Sequence, residues 1–125
     1  MIHPNEVFGE LRQPAHDLRD HIPDVIGAYA SMQRAALADG ELEGKVKELI
    51  ALAIAVSKEC DGCIAAHAHA AVLHGASPQE AAEAIGVTFL MNGGPATVYG
   101  ARAFAAFQEF YRERMSQPNG HQPVG

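Results

Sequence analysis

The sequence predicts an all-α domain, and three observations carry that expectation. Apolar residues recur three and four apart, as Val25, Ile26, Tyr29, Met32, Ala36 and Leu37 do in one stretch and Phe104, Phe107, Phe110 and Tyr111 in another. Helix punctuation separates such stretches, most clearly at Ser77-Pro78-Gln79-Glu80, with serine as N-cap, proline at N1 and glutamate at N3. No segment alternates convincingly with period two, as a half-buried strand requires. Without an internal repeat or linker, the 125 residues read as one domain over 1–115, followed by a Gly-, Pro- and Gln-rich tail, 116–125, expected to be disordered.

About six helices are expected. Residues 1–13 read as a loosely held lead-in, because Pro4 and Pro14 discourage a continuous helix. A short helix over Ala15 to Asp20 ends at His21-Ile22-Pro23, since the residue before a proline is pushed out of the α region. The next runs from Asp24 to about Ala38, with Asp39-Gly40 as its C-cap pair. A third, about Leu42 to Lys58, begins amphipathic and becomes apolar all round from Leu49 to Val56. Such a helix must be covered on every side, by its own domain or by another subunit. A central fourth helix starts near Cys60 and closes at His74-Gly75-Ala76. The fifth runs from Ser77 to about Met91, and Asn92-Gly93-Gly94-Pro95 separates it from a sixth, Pro95 to about Met115.

Composition narrows the function. A formal charge of −6 with no basic run argues against nucleic acid and against an anionic membrane surface as partners. The longest apolar run, Leu49 to Val56, is far short of the roughly 18 residues of a membrane-spanning helix. The N-terminus has neither a basic nor an apolar region of a signal peptide, so the expected compartment is the reducing cytoplasm. There a C-x-x-C pair more often does redox or metal chemistry than structural stapling.

The two cysteines of the chain form that pair, Cys60-Asp61-Gly62-Cys63, with His67 four residues further on. At roughly 100° per residue, Cys60, Cys63, His67 and His74 share one narrow helix face and His69 points away. A thiol at i and an imidazole at i+4 can meet, at about 5–6 Å between Cβ atoms. The arrangement is a dithiol with a base beside it, at a helix N-terminus that favours thiolate. Two small apolar core residues would have the same spacing, but the histidine one turn on favours the redox reading. Zinc fits poorly, because one helix cannot wrap four such donors tetrahedrally around a metal. No metal or cofactor is expected. His69 and His74 read as a surface or interface residue and a helix-end residue. Glu48 has two readings: a surface partner of Lys45 or Lys47, or a carboxylate at the edge of the buried zone that accepts a proton.

The run Lys47 to Val56, then Cys60-Asp61-Gly62-Cys63 and His67, resembles the carboxymuconolactone decarboxylase superfamily, and within it the alkylhydroperoxidase D (AhpD-like) branch. That branch carries a glutamate, eleven residues, C-x-x-C, three residues and a histidine, which here are Glu48, Cys60, Cys63 and His67. Gly75 to Ala84 and the Gly93-Gly94-Pro95 break also look like family features. The resemblance implies an AhpD-like helical domain. It also implies a catalytic set in which Cys63 meets peroxide, Cys60 resolves, and His67 couples Glu48 to Cys63. It further implies a hydroperoxide substrate, an external dithiol reductant of lipoyl or thioredoxin type, and a homo-oligomer, trimer or hexamer. Where alkylhydroperoxidase D has a second histidine before its second cysteine, this chain has Gly62, which shortens the relay. The helix position of Cys60 allows a competing assignment, in which Cys60 is the exposed sulfur attacked by the reductant. Two other functions remain open at this point: a lactone decarboxylase like the family's namesake, to which a dithiol contributes nothing, and a non-catalytic redox-sensing or metal-binding module.

Overall fold

A computed structural model describes residues 3–118, which form six helices and no strand. They are α1 (Pro4–His21), α2 (Pro23–Leu37), α3 (Gly44–Ser57), α4 (Asp61–Leu73), α5 (Pro78–Asn92) and α6 (Gly94–Met115). Helices α3, α4, α6 and α5 pack in that cyclic order as a four-helix body, with α1 laid against α4 and α2 outside it. No helix among the described residues is long and apolar enough to cross a membrane. The tail expected to be disordered falls mostly on 119–125, outside the described residues.

The body closes on Leu52, Val56, Ile64, Val72, Ile85, Phe107 and Phe110, interleaved with buried alanines at 55, 65, 68, 71, 76, 81, 96, 103 and 106. Small residues between large ones let helix axes approach, and α5 packs closely on α6 at Gly100. A Cβ added there would lie 2.9 Å from the Ile85 side chain and 3.0 Å from that of Phe89. The aromatic stripe of α6 is core: Phe107 and Phe110 are buried, and Phe104 and Tyr111 pack against them.

The lead-in proves to be the first half of α1, and Ala15 to Asp20 its second half. Pro4 at N1 begins the helix instead of opposing it, its fixed φ already being helical. Pro14 removes one backbone bond on the exposed part of the helix, where the freed carbonyl is not buried without a partner. Tertiary contacts then hold the helix: Pro4 is buried, and Phe8 stacks on Phe110 at 5.9 Å between ring centroids. Asp39-Gly40 does not cap α2, which ends with Ala38 in an extended conformation. The Asp39 carboxylate instead accepts the Gly44 N–H at 2.6 Å, at the start of α3.

The fifth helix starts as the sequence predicts, with a complete capping box between Ser77 and Glu80. Lys45 adds an ion pair to Glu80 at 3.0 Å, tying α3 to α5. The Ser77 backbone N–H, then Lys45, hold the Glu80 carboxyl below its ordinary value of 4.5. A lowered folded-state pKa contributes stability that is present above the unfolded value and is lost as pH falls through the folded one. Glu80→Gln keeps an acceptor for Ser77 but removes the charge. Urea unfolding should therefore find it less stable than the native chain at pH 7, with the gap closing in acid below the ordinary carboxyl range. A gap independent of pH would show that the charge contributes nothing.

Candidate functional site

The site forms where α3 hands over to α4. Helix α3 ends at Ser57, and its last carbonyls are met by a Schellman pair: Glu59 N–H to Val56 O at 3.1 Å and Cys60 N–H to Ala55 O at 3.2 Å. The same motif ends α4, through Gly75 N–H to Val72 O and Ala76 N–H to Ala71 O, each at 3.0 Å. There the left-handed position is a glycine, with φ 88°; at the end of α3 it is Glu59, with φ 55°. A side chain in that region costs about 1–2 kcal/mol. Glu59→Gly should thus raise stability, by up to about 1 kcal/mol after the glycine's greater unfolded-state entropy is set against it. The urea midpoint measures this, and a fall in midpoint would mean that the glutamate side chain supports the turn.

This tight reversal places Cys60 as the N-cap of α4, where its Sγ accepts the Cys63 N–H at 3.3 Å. Cys60 and Cys63 are joined as a disulfide, with Cα atoms 5.3 Å apart. Cys63 is exposed and Cys60 partly buried. The N-terminal amides of α4 and the aligned helix dipole both favour negative charge on sulfur at this end.

One turn beyond Cys63 on α4, His67 meets Glu48 of α3. The Glu48 Oε1 lies 3.0 Å from His67 Nδ1, and Oε2 lies 3.5 Å from it. Glu48 is 2% exposed and the His67 side chain 22%, so the pair runs from the core toward the surface. The surface reading of Glu48 therefore fails. Its two candidate partners are engaged elsewhere: Lys45 with Glu80, and Lys47 as donor to the Ala38 carbonyl at 2.6 Å. A carboxylate on Nδ1 orients the imidazole and leaves Nε2 for a second proton partner.

The other two histidines of α4 stand apart from this arrangement. His74 is the C-cap, and its Nδ1 lies 2.8 Å from the Ala70 carbonyl of its own helix. His69, on the far side, rests on Phe110 with ring centroids 4.7 Å apart. Among the described residues no group of three or more His, Cys, Asp or Glu is placed to hold a metal ion.

Two neighbours of the dithiol carry no sequence signal. Arg102 of α6 pairs with Asp61, the residue after Cys60, at 3.5 Å, and lies over the Tyr99 ring at 5.0 Å. Leu11 of α1 covers Gly62, its methyl 3.7 Å from where a Cβ would stand. A side chain larger than alanine at position 62 must share that space with α1. Nothing in the local sequence around the cysteines announces either contact, because both partners lie forty or more residues away.

Comparison with known proteins agrees with the fold. Residues 23–106 match the model of the carboxymuconolactone decarboxylase family. An uncharacterized protein of Cupriavidus necator is 38% identical over 103 residues, covering 82% of this chain and 85% of its own. An uncharacterized protein of Haemophilus influenzae is 39% identical over 105 residues, covering 84% of this chain and 87% of its own. Among solved structures, the apo form of a carboxymuconolactone decarboxylase family protein from Legionella pneumophila superimposes with a TM-score of 0.83 at 36% identity. That match covers 86% of this chain and 96% of the other.

Proposed function

The chain belongs to the carboxymuconolactone decarboxylase family, and on that premise we propose that it is a dithiol peroxidase, a thiol–disulfide oxidoreductase that reduces hydroperoxides. The observation that carries the reading is the meeting of two things at one helix start. A cysteine pair close enough to form a disulfide lies one turn from a histidine bonded to a buried glutamate.

Peroxide reduction then runs in three balanced steps. His67, held by Glu48, takes the Cys63 proton, and the thiolate attacks the terminal peroxide oxygen. The O–O bond breaks, Cys63 becomes a sulfenic acid, and the alkoxide leaves as alcohol after receiving that proton. The Cys60 sulfur displaces hydroxide from Cys63, giving the disulfide and one water. An external dithiol, of lipoyl or thioredoxin type, attacks the exposed Cys63 sulfur. Cys60 leaves as a thiolate facing the Cys63 amide N–H, and the donor's second thiol releases Cys63. The donor is oxidised by two electrons and the protein returns to its dithiol.

A decarboxylase acting on a lactone has no use for a dithiol, and no feature of the site favours that chemistry over the redox one. Turnover separates them. Hydroperoxide should be consumed catalytically when a dihydrolipoyl or thioredoxin donor is supplied, and the donor should be oxidised one-for-one. Peroxide consumption that stops after a single equivalent with every dithiol donor would reduce the protein to a sensor.

A further inference from the structure

The ion pair between Asp61 of α4 and Arg102 of α6 stands at the dithiol, yet it supplies no proton or electron to the peroxide steps. Arg102 Nη1 lies 3.5 Å from Asp61 Oδ2, and the guanidinium lies over the ring of Tyr99, 5.0 Å from its centroid. Tyr99 is three residues back on the same helix, where side chains are neighbours. The arginine is thus held from two sides. Asp61 opens α4 directly after the N-cap, Cys60. A cavity of about 10 Å³ lies beside the pair, walled also by Pro4, Ile64, Ala65 and Ala106. That is room for a single water and for no substrate, so the pair acts on the protein's own groups.

A carboxylate in the first turn complements the helix dipole, which would account for Asp61 in a purely structural helix. Here the same helix end also serves the Cys60 sulfur, which accepts the Cys63 N–H at 3.3 Å. A thiolate on Cys60 is disfavoured by a bare carboxylate on the next residue, because like charges repel. Arg102 cancels that carboxylate. The other charged and titratable groups near this end lie elsewhere around it. Lys58 and Glu59 stand exposed in the turn before Cys60, and the Glu48–His67 pair lies one turn beyond Cys63. From α1 it is the apolar Leu11 that covers Gly62.

We propose, resting on the dithiol reading above, that Arg102 is a positioning residue for the reduction half of the cycle. By neutralising Asp61 it lets Cys60 leave as a thiolate. The thiolate of an external dithiol bonds to the Cys63 sulfur, the Cys60–Cys63 bond breaks, and its electron pair departs on Cys60. The donor's second thiolate then displaces Cys63, so the donor ends as a disulfide and the protein as a dithiol. A thiol of lower pKa is the faster leaving group, and a bare Asp61 would oppose the charge as it forms. Two charge pairs thus divide the two sulfurs between them. Glu48–His67 serves Cys63 and Asp61–Arg102 serves Cys60.

Reduction of the oxidised full chain by excess dithiothreitol tests this, with a donor that carries no charge beyond its own thiolate. A charge about 4–6 Å away shifts a pKa by about 1–3 units, and the side chains of Arg102 and Asp61 are 35% and 29% exposed, which favours the low end. Arg102→Gln should therefore slow reduction by about three- to tenfold. The double variant Asp61→Asn, Arg102→Gln also lacks the ion pair but has no bare carboxylate, and should return to within about twofold of the native rate. Asp61→Asn alone should be reduced at least as fast as the native chain. In a Cys63→Ser background, where Cys60 alone titrates, Arg102→Gln should move the ultraviolet thiolate absorbance to higher pH. A double variant as slow as Arg102→Gln would make the pair a structural brace and overturn the proposal. So would a native rate in Arg102→Gln, or a Cys60 titration that does not move. Slower reduction of Asp61→Asn overturns it too, even if Arg102→Gln fails to fold. None of these steps uses peroxide, so a native chain inert to hydroperoxide would remove the peroxidase reading and leave this comparison to decide the role of Arg102.

Discussion

Replacing Cys63 with serine should abolish the fast reaction with hydroperoxide, whereas Cys60→Ser should still react once. The asymmetry follows from what each sulfur does. Cys63 lies one turn before His67 on α4, at the spacing where an imidazole meets a thiol, and it is the more exposed of the two. Cys60 is the N-cap, partly buried, with its sulfur already facing the Cys63 amide N–H. Without Cys60 the sulfenic acid on Cys63 has no thiol to condense with. It should persist long enough to be trapped by a dimedone-type reagent, or go on to sulfinic acid with excess peroxide. Mass spectrometry after one equivalent of peroxide distinguishes the products, with one added oxygen expected for Cys60→Ser and none for Cys63→Ser. First-turnover oxidation retained in Cys63→Ser would move the attacking role to Cys60, the assignment that its place at the helix start also allows.

Glu48→Gln should slow the same reaction by about 10²–10⁴-fold, the range for loss of a general base. Glutamine fits the same buried space and can still accept a hydrogen bond from His67, so the fold should survive. What it cannot do is carry the negative charge that stabilises an imidazolium once His67 has taken the thiol proton. Glu48 is buried and its carboxylate is bonded to His67, so that charge acts with little screening by water. Raising the pH should recover part of the rate, because hydroxide then removes the thiol proton without the histidine. Stopped-flow oxidation across pH measures both effects. A glutamine variant with the native rate and pH profile would leave Glu48 a structural partner of His67 and nothing more.

Much of this site was legible in the sequence because it is written locally. Cys60, Cys63 and His67 lie within eight residues of one another on one helix, where a fixed angle per residue converts spacing into geometry. Ser77 to Glu80 is legible for the same reason: the whole capping box is contained in four residues. Glu48 was ambiguous because its choice between Lys45 or Lys47 and His67 depends on how two helices pack, which periodicity does not encode. Arg102 and Leu11 were invisible, since only the fold brings α6 and α1 against the cysteines.

Helix α1 departs from the sequence expectation because neither proline falls where it breaks a helix. Pro4 sits at N1, where proline favours a helix, and Pro14 on a surface where a missing backbone bond is tolerated. The all-round apolar run of α3 implies cover on every side. Its Leu52, Ala55 and Val56 are buried, but Ile50 and Ile54 are about half exposed. Counting apolar residues predicted the need for cover and could not say which face the domain itself would supply.

The central claim is that Cys60 and Cys63 act together as a peroxide-reducing dithiol. Stopped-flow mixing of the fully reduced chain with one equivalent of a hydroperoxide, in the absence of any donor, tests it most directly. The account predicts a single fast phase in which two thiols are lost for each peroxide consumed, ending in a Cys60–Cys63 disulfide with no oxygen added to the protein. Thiols that persist while peroxide decays no faster than with a free cysteine peptide would contradict it.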